Sequence, residues 1–436
     1  MSASNHQINL DILRSASRAP IVQKLSDLAC LQVSEWLRDT QFKTGEFLTA
    51  EGTRFRNFSC LKKNKTCNDV ILTVIAATGP NHCMDGWTFF ARSLSSLLSG
   101  DAHTARHLAY YAQLRSAMSI LHCNGIGIFN GINLAVTSSG CLKSITDKMV
   151  PTHKATWNAL QFWSEGTDST NEFLNSIKFQ NVSLIERMKE VCPDFPSNLL
   201  VSEIIYNWGI DLRTCSNDQS FRNISSYSAH AYNSTNSKLL QRLKLIRSIW
   251  DSLEPDGLGG YGTLDRQLLR KFLKLFEKHR KLDYSKLNPE IHGFDLEDLM
   301  DQNNVKESED IFFLSWDRNQ EVGNVHGMIS RALILLRLAT GVVRSVLSDA
   351  GISSQNLQNW FDIIGLERGI WSKGNHPVEI DELWNDVSVA VNYLQDYILS
   401  NQEDQFSFIN FLDKEQGETL LHLSQAERAC IWGLNY

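Results

Sequence analysis

The chain has 436 residues, of which 42% are hydrophobic and 21% charged, and its formal net charge is −7 at pH 7. This composition is typical of globular proteins and argues against a largely disordered chain. The negative charge argues against a protein that coats nucleic acid along its whole surface, although a local basic face stays open. The length exceeds what one small core needs and predicts two or three lobes.

The nine cysteines are scattered along the chain, odd in number and never spaced as a CxxC pair. The N-terminus lacks the apolar core of a secretory signal. We therefore predict that the cysteines are reduced thiols in a cytoplasmic protein. The most apolar runs, residues 70–77 and 332–343, are too short to span a bilayer. We therefore predict that the protein does not contact a membrane.

The N-terminal region, residues 1–67, contains a predicted amphipathic helix over residues 21–38 and then a polar loop. The next region, residues 68–235, is predicted to be a helical core and opens with the apolar run at 70–77. We predict a minor strand for this run, although a short buried helix fits it equally well. The Gly79-Pro80-Asn81 turn is predicted to end it.

The central helix of the core is predicted over residues 101–122. A helix over residues 87–98 precedes it and ends at Ser99-Gly100, and Asp101 then occupies the position of an N-cap. Three glycines between residues 125 and 131 break the chain after the central helix.

Helical periodicity dominates the rest of the chain, and few stretches alternate with the period of a strand. We therefore predict a mostly α fold of multi-lobed helical bundles, with at most a minor strand near residues 70–77. Basic helices and an acidic linker segment are predicted in residues 236–322, and a C-terminal helical domain in residues 323–436. The further predicted helices span residues 154–163, 182–191, 197–208, 237–253, 264–281, 325–350, 354–363, 379–400 and 418–432.

Charge is unevenly distributed within residues 236–322. Between residues 238 and 281 there are eleven Lys/Arg and five Asp/Glu, whereas between residues 283 and 321 there are three Lys/Arg and eleven Asp/Glu. The helix over residues 263–281 is basic on one side and apolar on the other, a pattern that can bind nucleic acid, an acidic partner or the acidic segment downstream. Its candidate binding residues are Arg266, Arg270, Lys271, Lys274 and Lys278.

One face of the central helix carries Leu108, Tyr111, Arg115, Met118 and His122, because steps of three, four and seven residues return to the same side. The other sides are mostly apolar, which is typical of a helix in a core or an interface. Arg115 is therefore expected to be desolvated and to need a carboxylate or carbonyl partner.

Two further arginines, Arg222 and Arg337, are candidates for a functional and a structural contact, respectively. Arg222 begins a polar stretch that could add to a site beside Arg115, although no spacing rule supports this placement. Arg337 lies on an otherwise apolar helix and predicts a structural tie to an acidic residue. Its candidate partners are Glu379, Asp381 and Glu382.

The segment AYYAQLRSAMSIL of the central helix resembles the central helix of HEPN domains, which are small helical bundles. Ribonucleolytic members of that family carry an arginine and a histidine separated by four to six residues on one helix, and Arg115 and His122 fit the long end of that spacing. The resemblance covers about residues 87–165. It implies that Arg115 stabilises the phosphate and that His122 assists RNA transesterification, at a site formed by two helices across a dimer. The family prefers a polar amide or an acid directly after the arginine, where this chain has Ser116.

Metal and cofactor patterns are weak in this sequence. His103 and His107 lie one helical turn apart, a spacing that can hold zinc, but a third ligand would have to come from Asp101, Cys83 or a distant residue. The glycine-rich residues 256–262 follow a helix rather than a strand, which favours an interhelical turn over a phosphate loop. We predict neither a metal nor a cofactor.

The sequence predicts first a helical interaction or scaffold subunit of an intracellular multiprotein assembly. It therefore predicts protein partners and leaves a homodimer and nucleic-acid binding open. An association with bacterial defence or toxin systems is implied only by the HEPN resemblance. The alternative function is a HEPN-like ribonuclease that uses Arg115 and His122. A further alternative is a nucleic-acid-binding module that uses the basic helix 263–281.

Overall fold

The computed structural model describes most of the helical core and of the C-terminal region. Residues 39–64 of the predicted polar loop and most of the acidic segment 283–321 lie outside the described residues, whereas the last loop residues, 65–67, are helical. The described residues are 8–29, 65–129, 131–166, 168–179, 182–191, 199–227, 239–256, 260–280, 290–291, 294–295, 311–316, 324–377, 379–400 and 417–434.

The fold is mostly α, as the helical periodicity predicts, and small antiparallel strand pairs interrupt it. None of the helices within the described ranges is long and apolar enough to cross a membrane. The helices are α1 (Leu10–Arg14), α2 (Ala19–Ala29), α3 (Lys65–Leu98), α4 (Ala102–Cys123), α5 (Thr152–Ser164), α6 (Asp168–Ser176), α7 (Leu184–Val191), α8 (Val201–Asn207), α9 (Cys215–Tyr227), α10 (Leu239–Leu253), α11 (Gly262–Arg280), α12 (Ile311–Trp316), α13 (Val325–Asp349), α14 (Ser354–Glu367), α15 (Ile380–Ser400), α16 (Gly417–Ser424) and α17 (Glu427–Leu434). The strands are β1 (Ile126–Ile128), β2 (Asn133–Val136), β3 (Leu142–Ser144), β4 (Lys178–Phe179), β5 (Val182–Ser183), β6 (Glu290–Ile291) and β7 (Phe294–Asp295).

Of the two predictions for residues 70–77, the strand is wrong and the buried helix is confirmed, because this run is part of the long helix α3, which continues through Pro80. Its β-branched residues favour a strand locally, but Ile71, Val74 and Ile75 are buried at helical spacing in the core between α3 and its neighbours. The helix is also tied to α4 beside the proline, where the Ser119 hydroxyl donates to the Gly79 carbonyl at 2.7 Å. Tertiary packing therefore overrides both the local strand preference and the proline.

The sheet lies instead directly after α4, where the sequence predicts only a break. Strands β1, β2 and β3 form an antiparallel sheet, with Ile126 opposite Ala135 and Leu134 opposite Ser144. Gly125 makes the turn into it with a φ of +78°, and a Cβ there would lie 2.4 Å from the Ser17 carbonyl oxygen. This turn positions β1 against the C-terminal end of α4.

Helix α4 is central to the N-terminal half, as predicted, and begins at its N-cap Asp101, whose side chain accepts from the Thr104 amide at 2.9 Å. It packs against α3, α5, α9 and α13. Helix α13, which belongs to the predicted C-terminal domain, therefore contacts the predicted core directly. The division of the chain into four regions stays a prediction.

Buried arginine–carboxylate pairs tie the helices together. Arg331 of α13 binds both carboxylate oxygens of Asp218 in α9, at 2.9 and 2.8 Å. Arg337 of α13 pairs with Asp265 of α11, which corrects the predicted partners Glu379, Asp381 and Glu382. Both pairs lie in the core, so α13 is held to α9 and α11 by charge as well as by apolar packing. Further pairs link Arg18 to Asp349 and Arg428 to Asp386.

Candidate functional site

The exposure of α4 changes along its length. Tyr111 and Arg115 are half-buried, whereas every residue from Ser116 to Cys123 is buried. The two members of the predicted catalytic pair therefore lie in different environments. Arg115 reaches the edge of the bundle and His122 lies inside it.

Arg115 is less desolvated than the sequence predicts, since 25% of its side chain is exposed. Its Nη1 donates to Nδ1 of His82 at 3.0 Å, and its Nε lies 3.8 Å from a carboxylate oxygen of Asp85. The hydrogen-bond partner is thus a histidine of α3, and the expected carboxylate partner, Asp85, lies farther from the guanidinium. A guanidinium only donates, so His82 accepts at Nδ1 and carries its proton on Nε2.

The Nε2 of His82 is buried and has no hydrogen-bond partner among the described residues. Burial lowers the pKa of His82 well below its usual value, and the positive charge of Arg115 lowers this pKa further. His82 is therefore a neutral donor next to the arginine.

Both ring nitrogens of His122 form hydrogen bonds within the core. The backbone N–H of Ile128 donates to Nε2 at 3.0 Å, so the ring proton is on Nδ1, 2.6 Å from the Thr78 hydroxyl. Thr78 in turn donates to the Val74 carbonyl at 2.7 Å. His122 thereby connects α4 with α3 and β1, and its ring lies edge-on to His82 with the centroids 4.9 Å apart.

The electrostatics of His122 follow from this burial, which lowers its pKa to about 3 although the Ile128 contact opposes the shift. The side chain is fully buried. In this arrangement neither ring nitrogen is available to exchange a proton with a substrate.

A second polar cluster surrounds Tyr111, one turn before Arg115 on α4. The Trp157 Nε1 of α5 donates to the Tyr110 hydroxyl at 3.3 Å, and this hydroxyl lies 2.9 Å from Nδ1 of His153. Arg222 of α9 donates through Nη2 to the Tyr111 hydroxyl at 3.0 Å. The same Nη2 lies 3.5 Å from Nε2 of His153.

The guanidinium of Arg222 also lies over both tyrosine rings, 5.6 Å from the centroid of Tyr110 and 5.1 Å from that of Tyr111. Burial lowers the pKa of His153, and the charges of Arg222 and Arg115 lower it further, which keeps this imidazole neutral. The structure thus places Arg222 near Arg115. No spacing in the sequence links Arg222 to Arg115, and His153 lies in the first turn of α5 without a recognisable motif.

The basic candidates of helix α11 lie on a different element from this cluster. Arg266, Arg270, Lys271 and Lys274 are half-buried, and the Lys271 ammonium lies 4.9 Å from the ring centroid of Phe312. Lys278 belongs to the same helix, and its side chain lies outside the described residues. Helix α11 packs against α8 and α10. The candidate nucleic-acid surface and the Arg115 site are therefore presented by separate elements.

Within the described ranges, no group of three or more His, Cys, Asp or Glu side chains is placed to hold a metal ion. His107, one of the two histidines with zinc-like spacing, instead contacts the ring of Tyr111, with the centroids 5.1 Å apart.

No protein-family model, no curated protein and no solved structure matches this chain. The HEPN resemblance therefore stays an expectation from the sequence.

Proposed function

We propose that this protein is a helical interaction subunit of a cytoplasmic multiprotein assembly. The observation that carries the proposal is the outer face of α15. This face exposes 69% of Val389, 37% of Tyr393 and 57% of Leu399, while Leu394 and Ile398 of the same helix are buried. Val389 and Tyr393 are one helical turn apart, and large apolar side chains exposed next to each other are typical of protein contacts.

The surroundings of α15 fit this role. Helix α16 packs against α15 and exposes 46% of a further large apolar side chain, Leu421. Arg428 of α17 donates to the Asp386 carboxylate and the Leu383 carbonyl of α15, both at 3.0 Å. These bonds hold the face in place, and a rigid face loses little conformational entropy when it binds a partner.

The cytoplasmic location is supported by the state of the cysteines. Five cysteines of the described part of the chain form no disulfide, and all of them except Cys141 are buried. Buried reduced thiols are typical of a reducing compartment. These five are Cys83, Cys123, Cys141, Cys215 and Cys430.

We expect the double substitution Val389→Asp with Tyr393→Asp to weaken partner binding by about thirtyfold, because each change introduces a charge into an apolar contact. The partner is identified by co-purification from the source cells, and homodimer formation is measured by light scattering. Met149→Asp is the matched control, since it adds a charge at an exposed apolar residue outside α15. Equal recovery of the same partner by the double variant, at an unchanged melting temperature, would contradict the proposal.

A second candidate function is contact with RNA, and the accessibility of Arg115 favours it. A ribonuclease of the HEPN type would in addition require His122 to leave Thr78 and Ile128.

We expect Arg115→Gln to reduce RNA affinity, because the phosphate loses a charged donor. The wild type is compared with Arg115→Gln and His122→Ala in binding and cleavage assays, with thermal melts of each. Charge reversal at Arg270 and Lys274 tests whether RNA binds through α11 instead. Undiminished RNA affinity of Arg115→Gln would contradict the proposal that Arg115 contacts RNA.

A further inference from the structure

We infer that the partner of the outer face of α15 is a basic amphipathic helix. This inference rests on the proposed function and adds the chemistry of the partner. Its basis is the pattern of charge around the exposed apolar side chains of Val389 and Tyr393. The partner helix carries two apolar side chains one turn apart, with Lys or Arg side chains one turn before and one turn after them.

The outer face of α15 places carboxylates on both sides of this apolar pair. Five exposed positions follow each other at steps of four, three, four and three residues, which places them on one side of the helix. They are Glu382, Asp386, Val389, Tyr393 and Asp396, which we call the α15 stripe. The apolar pair lies in the middle of the stripe, and a carboxylate lies at each end. At 1.5 Å per residue the stripe is about 21 Å long, which suits a partner helix of about four turns.

The ionised side chains of α15 and of its neighbour α16 are all acidic. The two helices contain five Asp and Glu residues and neither Lys nor Arg. Their one histidine, His422, is half-buried, and burial lowers its pKa, which keeps this imidazole neutral at pH 7. The five carboxylates are all exposed, so they give the surface of these helices a negative potential. They are those of Asp381, Glu382, Asp386, Asp396 and Glu418.

Arginines next to α15 are engaged within the fold. Arg428 of α17 donates to the Asp386 carboxylate at 3.0 Å and offsets this one charge of the stripe. Helix α10 also packs against α15. On it, Arg247 lies 3.4 Å from a carboxylate oxygen of Asp251, and Arg242 donates to a backbone carbonyl of α3 at 3.3 Å. Cations for the ends of the stripe therefore have to come from a partner.

A second copy of this chain does not fit the stripe. Two copies related by a twofold axis would bring the same carboxylates together, and like charges across an interface oppose binding. The net charge of −7 adds to this repulsion. A nucleic acid does not fit either, because its phosphates are negative. A basic amphipathic helix covers the apolar pair and pairs its cations with the carboxylates at both ends.

The test measures binding of two synthetic helical peptides to the full chain by fluorescence anisotropy at low salt. Both peptides carry two leucines one turn apart. The first has lysines one turn before and after the leucines, and the second has glutamates at the same positions. We expect the wild type to bind the lysine peptide at least about tenfold more tightly, because like charges oppose binding of the glutamate peptide. Added salt should weaken binding of the lysine peptide, since it screens exposed charges.

Reversing the charge at both ends of the stripe should reverse this preference. We expect Glu382→Lys with Asp396→Lys to bind the lysine peptide about tenfold more weakly than the wild type and to prefer the glutamate peptide. Glu382→Gln with Asp396→Asn only removes the charges and should weaken lysine-peptide binding by about threefold. Asp147→Lys with Glu165→Lys is the matched control, since it makes the same charge change at exposed residues outside α15 and α16. Thermal melts check that each variant is folded.

The inference is overturned if neither peptide binds the wild type, if both bind it equally well, or if both stripe variants bind like the control. A dimer that Val389→Asp with Tyr393→Asp abolishes would make a second copy the occupant and would also overturn it. The proposed function is judged separately, by whether this apolar double variant loses the co-purified partner. Loss of that partner, together with equal binding of both peptides, would leave α15 as an interaction face that does not select its partner by charge.

Discussion

Replacing Arg337 with methionine is expected to lower the free energy of unfolding by about 3–5 kcal/mol, because it leaves the Asp265 carboxylate buried without its counter-charge. Both side chains are almost fully buried. The guanidinium also donates to the Lys178 carbonyl at 2.9 Å and lies 5.4 Å from the ring centroid of Tyr261. The loss is measured by urea unfolding at neutral pH.

A second substitution, at the partner residue Asp265, provides the control. The double substitution Arg337→Met with Asp265→Leu removes both charges and is expected to recover much of the loss, since an apolar pair needs no counter-charge. Arg213→Met breaks an exposed ion pair of the same type with Asp211 and should leave the free energy of unfolding nearly unchanged, because solvent screens such a pair. A loss below about 1 kcal/mol for Arg337→Met alone would show that the buried pair does not hold α11 to α13.

The buried arginines show which features of the structure the sequence predicts and which it does not. An arginine in an apolar helix predicts a buried tie, and Arg337 forms one, but its partner Asp265 lies 72 residues earlier in the chain. The predicted partners, Glu379, Asp381 and Glu382, all lie downstream of it. Periodicity determines which residues are buried, whereas the choice of partner depends on how distant helices pack.

The same limit explains the fold and the candidate site. Helix lengths follow from periodicity and from local signals such as the N-cap Asp101, and most of them are confirmed. The β-branched side chains of residues 70–77 favour a strand, the sequence also permits a buried helix, and packing against α4 decides for the helix. Arg222 and His153 approach Tyr111 only through the tertiary arrangement of α4, α5 and α9. No spacing of residues along the sequence predicts that these side chains come together.

Lowering the pH is expected to destabilise the protein through His122. Burial lowers its pKa from 6.5 to about 3 in the folded state, so between these values the unfolded chain binds a proton that the folded chain does not. Stability is therefore present above pH 6.5 and is lost as the pH falls toward 3. One pKa unit corresponds to about 1.4 kcal/mol, so the whole window is worth up to about 5 kcal/mol. Burial lowers the pKa of His82 as well, which acts in the same direction.

Glu427 acts in the opposite direction and must be separated from the histidines. It is fully buried beside Arg368, and burial raises its pKa from 4.5 to about 7. The folded chain therefore binds the extra proton between these values, and this contribution to stability is lost as the pH rises through 7. Glu427→Gln removes this titration, so we expect its stability to fall more steeply than that of the wild type as the pH drops from 7 to 4.5.

The measurement is urea unfolding across this pH range for the wild type, Glu427→Gln, His122→Gln and the exposed-histidine control His376→Gln. His122→Gln costs stability at neutral pH because one of the bonds to Thr78 and Ile128 is lost, but it has no ring to protonate. Its deficit relative to the wild type should therefore shrink as the pH falls below 6.5, whereas the His376→Gln profile should run parallel to the wild type. A His122→Gln deficit that stays constant down to pH 4.5 would mean that His122 is protonated in the folded state. The ring would then exchange protons with solvent, as the ribonuclease reading of Arg115 and His122 requires.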